Sequence, residues 1–249
     1  MVNAAITTVC DMVEHCRLRL DDVSPQSLTP TTNLELVQAA AEDADESELL
    51  WTTAELEHYA NEAIKEVAWR TRCLRDSDLS IADVTRYSVT AGTSAVVVDP
   101  RVFIIKRVWW NSTVLVPLSA RFQDEQSNDW RAEEVESPEE FVLNQSARSI
   151  RLVGIPTLDG VVGLEVIRLP LTAISGHAVP EIPQPYLADC LHWMCHLAYL
   201  KNDADTRDKS KSDEYAALFA SRVGPRPSLF QLELEGYQQG RRRGRLYYF

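Results

Sequence analysis

The chain has 249 residues, of which 45% are hydrophobic, a formal net charge of −12 and five cysteines. This length fits one large domain or one domain with appendages, and the hydrophobic fraction is sufficient for a core of useful size. No run of about 18 or more apolar residues occurs and the start lacks a signal-peptide pattern, so we expect neither a membrane span nor secretion. An odd number of cysteines then argues against a disulfide framework.

The charge is distributed unevenly along the chain. Residues 224–249 hold five arginines against two glutamates, so the rest of the chain is even more acidic than the whole. An acidic surface is a poor general binder of DNA, because phosphate contacts need cations. We expect the basic end to meet an acidic or polar partner.

The first 50 residues predict a helix followed by an exposed connector. Apolar residues at helical spacing, from Ile6 to Leu20, predict a helix over residues 4–21. Residues 22–50 are rich first in serine, threonine and proline and later in acids, which is typical of a solvent-exposed connector. A short helix at residues 34–41 fits within it.

The strongest helix prediction covers residues 52–74. Thr52 and Glu55 have the spacing of a capping box, in which a hydroxyl and a carboxylate accept hydrogen bonds from free backbone amides. An apolar stripe follows on one face, formed by Leu56, Tyr59, Ala60, Ala63, Ile64, Val67 and Ala68. The opposite face suits water or a neighbouring subunit and carries Glu57, Asn61, Glu62, Lys65 and Glu66.

Residues 84–170 predict strands. Short β-branched and aromatic runs alternate with turns, beginning at the turn of residues 90–93, and a return strand is expected at residues 114–116. Trp109 and Trp110 are adjacent in one predicted strand, so one of them should face outward. The pattern predicts a small antiparallel β-sandwich or curled sheet of roughly five to seven strands.

Residues 186–223 predict a helical hairpin, because the polar turn at residues 201–205 is short. Beyond it, Pro225 and Pro227 end the regular pattern, and residues 224–249 form an extended C-terminal tail. The expected fold class is therefore α+β, with a helical bundle or hairpin combined with the β-sandwich. The expected domain plan is residues 1–50, a core at 51–223, and 224–249.

Two clusters of polar residues invite a metal-binding hypothesis, and neither supports it. Cys190, His192, Cys195 and His196 do not share one face of a helix, and the pair that does supplies too few ligands. Asp203 and Asp205 lack the glycine of a calcium loop, so we expect them to cap and charge the second helix of the hairpin.

The sequence offers no catalytic motif. No Gly-rich phosphate loop and no Gly-x-Ser-x-Gly elbow occur, and no histidine is paired with a nucleophile. We therefore expect no enzyme, no cofactor and no metal. A dispersed catalytic site is the least favoured alternative, because such sites are spatial rather than sequential.

The order of several short motifs resembles the head-to-tail adaptor, or connector, family of tailed bacteriophages. The likeness covers roughly residues 51–223 and rests on order and spacing together. The motifs are Trp51-Thr52-Thr53-Ala54-Glu55-Leu56, Tyr59-Ala60-Asn61-Glu62-Ala63, Pro180-Glu181-Ile182-Pro183, Tyr186-Leu187 with Trp193, Ala198-Tyr199, and Asp203-Ala204-Asp205-Thr206 with Lys209 and Tyr215.

The resemblance implies a structural protein of the virion neck, assembled in the host cytoplasm. Such adaptors form a ring, usually of twelve copies, that binds the portal protein, extends the DNA channel and offers a docking surface to a tail or nozzle protein. Double-stranded DNA would then be channel cargo, and no membrane is involved. A tail-completion or tail-terminator protein of the virion is the alternative.

The C-terminal tail is the best candidate for contact with the portal or a neighbouring subunit. Arginine offers forked donors, aromatic side chains serve as interface anchors, and the alternating residues 230–234 could add a strand to a neighbour. The predicted partner-binding residues are Phe230, Leu232, Leu234, Tyr237, Arg241, Arg242, Arg243, Arg245, Leu246, Tyr247, Tyr248 and Phe249. The open alternative is an end without a partner.

Overall fold

The computed structural model describes residues 6–22, 49–77, 82–127, 129–143, 149–203 and 205–228. The helices are α1 (Val9–Leu20), α2 (Thr53–Thr71), α3 (Ala82–Thr85), α4 (Ala120–Gln126), α5 (Leu187–Tyr199) and α6 (Lys209–Val223). The strands are β1 (Arg75–Asp76), β2 (Arg86–Val89), β3 (Ala95–Val97), β4 (Val102–Trp110), β5 (Thr113–Val114), β6 (Val116–Leu118), β7 (Glu134–Val135), β8 (Glu140–Leu143), β9 (Ser149–Leu152), β10 (Ile155–Pro156) and β11 (Gly160–Arg168). The α+β class is confirmed.

The described residues fall into two compact units. The helical unit comprises those of Met1–Cys73 and Pro170–Arg226, and the β unit comprises those of Leu74–Leu169 with Pro227 and Ser228. Each unit has its own buried core, as expected of units of this size.

In the helical unit, α5 packs against α1, α2 and α6. This position explains its composition, because a helix surrounded by others is apolar on most sides. Its buried residues include Leu191, Met194 and Cys195. The largest buried side chains in the rest of the helical unit are Met12, Trp51, Leu56 and Phe219.

Capping boxes start both N-terminal helices. The Thr52 hydroxyl accepts from the Glu55 amide while the Glu55 carboxylate accepts from the Thr52 amide, which confirms the predicted box. Thr8 and Asp11 form a second box, which the sequence analysis did not identify. Burial alone would raise the pKa of Glu55, but hydrogen bonds from Thr52 and Lys201 lower it.

The second helix of the predicted hairpin begins later than expected. Asp208, rather than Asp203 or Asp205, is the N-cap of α6, and its carboxylate accepts from the amide of Lys211 at 3.0 Å. The prediction of the capping residue was therefore wrong. The reason is local: the chain first makes a turn in which the Asp208 amide donates to the Tyr199 carbonyl, and helical geometry starts only afterwards.

The β unit contains eleven strands among the described residues, more than the five to seven expected. The long strand β11 pairs antiparallel with β4 on one side and with β1 and β2 on the other, and β4 also pairs with β5. A second sheet has the order β3-β9-β8-β6, and β7 pairs with β10. The β6–β8 and β7–β10 pairs are parallel, so the prediction of a wholly antiparallel arrangement was wrong.

The predicted return strand at residues 114–116 is divided between two sheets. β5 pairs with β4, whereas β6 lies beside β8. Leu115 stands at the crossing point, where its side chain is buried and its amide donates to the Val108 carbonyl. Pro117 fits the edge position of β6, since proline cannot donate to a second neighbour.

The two adjacent tryptophans of β4 face opposite sides, as a strand requires. Trp110 is 3% exposed, and Trp109 is half-buried. Gly160 passes so close to the indole ring of Trp110 that a Cβ there would overlap it. A small residue at this position is therefore needed for the ring to stay inside.

Candidate interface site at the root of the C-terminal segment

The partner-binding residues predicted from sequence lie outside the described residues. They are Phe230, Leu232, Leu234, Tyr237, Arg241, Arg242, Arg243, Arg245, Leu246, Tyr247, Tyr248 and Phe249. The structure does describe where this C-terminal segment, residues 224–249, leaves α6. Its first residues, Gly224–Ser228, form the root of the segment, and the contacts of that root define the candidate site.

Arg70 of α2 ties the root to the helical unit. Its Nη1 donates to the Gly224 carbonyl at 2.9 Å, and its Nε donates to Glu66 Oε1 at 2.8 Å. Gly224 ends α6 with φ +99°, a conformation that favours glycine. The carbonyl that would otherwise be left without an intrahelical partner thus meets a charged donor.

Glu66 also faces Arg226, the next charged residue of the root. Glu66 Oε2 lies 3.7 Å from Arg226 Nη2, and the Arg226 guanidinium lies 5.7 Å from the centre of the Trp69 ring. Glu66 is 9% exposed, so the expectation that it lies on a face open to water or to a neighbouring subunit was wrong. One buried carboxylate therefore meets two guanidinium groups, an arrangement that offsets the cost of burying it.

An aromatic layer lies beneath Arg70. Its guanidinium carbon is 5.1 Å from the Trp193 ring centre and 4.8 Å from that of Phe219, within the range of a cation–π contact. The two rings themselves lie 5.0 Å apart. Three helices thus fix one arginine, because Trp193 belongs to α5 and Phe219 to α6.

The carboxylate of Asp22 brings together the two ends of the connector before α2. Asp22 accepts from the amides of Leu50 and Trp51 at 2.9 and 3.3 Å and pairs with Arg17 at 2.8 Å. Arg17 in turn donates to the Trp51 carbonyl. Residues 23–48, which include the predicted short helix at 34–41, lie outside the described residues, but the chain enters and leaves them at one place.

The cysteines and histidines of α5 have packing and hydrogen-bonding partners within the helical unit. Cys195 Sγ lies 3.9 Å from Cys16 Sγ, and this contact together with burial raises the pKa of Cys16. His192 Nδ1 is 3.2 Å from Arg19 Nη1, whereas His196 Nδ1 is 2.9 Å from the Ser212 hydroxyl. Within the described residues, no three His, Cys, Asp or Glu side chains converge as metal ligands.

Sequence reasoning missed the Glu66–Arg70 pair, although a signal was present. The two residues are four apart on a helix, which is the spacing of an ion pair. What the sequence did not show is the partner of Arg70 at Gly224, which is 154 residues away. The predicted docking residues and this root belong to one segment.

A family model described as SU10 adaptor protein matches residues 31–244. The match extends beyond residues 51–223 at both ends and takes in the root and most of the C-terminal segment. No curated protein matches the chain. None of the helices in the described part of the chain is long and apolar enough to cross a bilayer. Because the family match covers most of the length, the chain belongs to the SU10 adaptor protein family, and the predicted kinship with phage head-to-tail adaptors is confirmed.

Proposed function

We propose that this phage adaptor forms a ring of twelve copies in the virion neck, binds the portal protein on one side and offers attachment to a tail or nozzle protein on the other. The ring assembles in the host cytoplasm and extends the DNA channel. Membership of the adaptor family supports a structural role among other virion proteins. The ring, the copy number and the partners are inferred from the resemblance.

The observation that supports a docking role for the C-terminal segment is the fixation of its root. Gly224 and Arg226 are both held by charged side chains of α2, and Arg70 is itself held by aromatic rings. A docking segment with a fixed start loses less conformational freedom on binding than one that begins from a loose end. The fixed root therefore supports a docking role for the segment that follows it.

Residues 230–249 carry the chemistry suited to docking. The arginines at 241–243 and 245 can form forked hydrogen bonds with partner carboxylates, and Tyr247, Tyr248 and Phe249 can fill apolar pockets. In our proposal, residues 240–249 engage the portal, while residues 230–234 pair with a neighbouring subunit.

The acidic character of the rest of the chain suits passage of DNA. With a net charge of −12, the protein repels phosphate groups at long range, so duplex DNA moves through without being retained. DNA is then cargo of the channel and not a ligand.

Deletion of residues 240–249 tests the docking role. We expect weaker sedimentation with portal rings of the same phage, and an unchanged circular dichroism spectrum checks that the rest of the chain remains folded. Two matched full-length variants separate the contributions: arginines 241–243 and 245 changed to glutamine, and residues 247–249 changed to alanine. Portal binding equal to that of the full chain would refute the docking role.

The same assay separates the alternative virion functions. An adaptor should sediment with isolated portal rings in the absence of phage tails. A tail-completion or tail-terminator protein should sediment with isolated tails and not with portal. The second result would replace the proposed function.

A further inference from the structure

An open groove of about 430 Å³ lies in the β unit between β2 and β3. Its volume is within the range of about 300–1,000 Å³ that is usual for ligand pockets. The two strands are consecutive in the chain, yet they belong to different sheets, because β2 pairs with β11 and β3 pairs with β9. The groove opens where these strands diverge.

Along β2, every second residue directs its backbone amide and carbonyl away from β11. The Val161 amide donates to Asn111 Oδ1, and the Val161 carbonyl accepts from the Asn111 amide. In β11, the backbone amides and carbonyls that face β2 are therefore those of Gly160 and Val162. In an antiparallel ladder, the backbone amides and carbonyls of their partners, Val89 and Tyr87, then point toward β11. The amides and carbonyls of Arg86 and Ser88 therefore point away from it, and both residues line the groove.

Strand β3 presents a second free edge. The Leu152 amide donates to the Ser94 carbonyl. Because the bonded groups alternate along an antiparallel ladder, the amides and carbonyls of Ala95 and Val97 point away from β9. β3 is also the last strand of its sheet. The groove thus lies between two exposed strand edges, and exposed edges are templates for an added strand.

Both ends of the groove are held in place. At the turn, the Ala91 amide donates to Asp159 Oδ1 at 2.8 Å, and the Gly92 amide donates to the Pro156 carbonyl at 2.9 Å. At the other end, the Tyr87 hydroxyl donates to the Val84 carbonyl and accepts from the Asp99 amide. The edges are therefore preorganised for binding.

Two charged residues line the groove, Asp83 and Arg86, and Arg86 is the one that can pair with an acidic residue of an occupant. Asp83 interacts with Arg101, which helps to raise the pKa of that arginine after the larger effect of Asp99. Arg86 is exposed and has no ion-pair partner among the described residues. Exposed side chains of β2 alternate with inward ones, so Arg86 and Ser88 lie on the outer face, and Tyr87 and Val89 lie on the inner face.

We infer that the groove binds residues 230–234 of a second copy of this chain as an added strand along β2. This inference rests on the proposed ring assembly. The segment reads Phe-Gln-Leu-Glu-Leu, so Phe230, Leu232 and Leu234 would cover the inner face, while Glu233 would lie on the outer face beside Arg86. The segment begins only a few residues beyond the root.

A charge-swap experiment tests the inferred pairing in the full-length protein. Arg86→Glu and Glu233→Arg should each weaken self-association about tenfold in sedimentation velocity, since each places like charges opposite one another. An equal mixture of the two variants should restore association, because the changed groove of one variant then meets the changed segment of the other, and their charges are opposite. Circular dichroism checks that both variants are folded.

Three outcomes would overturn the inference. These are a wild-type chain that stays monomeric at every concentration, single variants that associate as the wild type does, and restoration only when both changes are in one chain. The last result would mean that the segment occupies the groove of its own copy. Ser88→Pro offers an independent measurement, since it removes a groove-side amide and should weaken association at least tenfold, whereas Ser88→Thr should not.

Failure of the groove and failure of the portal docking are distinguishable. The Arg86→Glu variant keeps residues 240–249 and should therefore still bind portal rings. Loss of self-association with portal binding retained supports the groove. Portal binding that survives deletion of residues 240–249 contradicts the docking role without affecting the charge-swap result.

Discussion

Glu66 lies buried between Arg70 and Arg226, and this single carboxylate links a helix to the root of the C-terminal segment. The Glu66 and Arg70 side chains are only about a tenth exposed, so solvent screens their attraction weakly. Removing one member of such a pair leaves the other charge buried without compensation, which costs far more than losing a surface pair.

We expect Glu66→Gln to lower the free energy of unfolding by about 2 to 3 kcal/mol, measured by urea denaturation followed by helical circular dichroism. Glu62→Gln is the matched control in the same helix. The side chains of Glu62 and its partner Lys65 are 40% and 48% exposed, so that change should cost less than about 0.5 kcal/mol. Equal effects of the two substitutions would contradict the role assigned to Glu66.

His192 predicts a pH dependence of stability. Burial lowers its pKa, and the nearby charges of Arg19 and Arg222 act in the same direction, opposed by Asp189. The unfolded chain therefore takes up a proton at this residue, near pH 6.5, before the folded chain does. The stabilisation is present above that pH and is lost as the pH falls through the lower folded pKa.

His192→Gln should make the free energy of unfolding depend less on pH between about 7 and 5. The exposed His177 provides a comparison, because His177→Gln does not change the contact between His192 and Arg19. Urea unfolding at several pH values measures both. An unchanged slope in the His192 variant would remove this residue from the pH response.

At the scale of elements, the start of α6 depends on one side chain. Asp208→Ala should lower the free energy of unfolding by about 1 kcal/mol, because the Lys211 amide loses its acceptor. Asp205→Ala is the control, since Asp205 is exposed and does not cap the helix. Thermal denaturation measures both variants. A greater loss of stability in Asp205→Ala than in Asp208→Ala would contradict the assignment of Asp208 as the cap.

Local signals in the sequence predicted α2 well, because a capping box and an apolar stripe lie within one helix. They could not predict strand pairing. β6 lies beside β8 in a parallel pair, and nothing near Val116 indicates that its neighbour comes from residues 140–142. The burial of Glu66 was missed for the same reason, since one of its partners, Arg226, lies beyond α6 in the chain.

At the scale of the whole molecule, the order of motifs along the chain identified the family, and the family match extends further than those motifs. The candidate site was predicted only in part. The docking role that the sequence predicts for the C-terminal segment stays a prediction, and the root that holds its start depends on tertiary contacts of Arg70 with Gly224, Trp193 and Phe219.

Ring assembly under the portal is the central claim, and electron microscopy of the purified chain mixed with portal rings of the same phage tests it most directly. We predict a second ring of twelve copies stacked coaxially on the portal, with an open central channel. Single copies attached to the portal without lateral contact, or no complex at all, would contradict the claim.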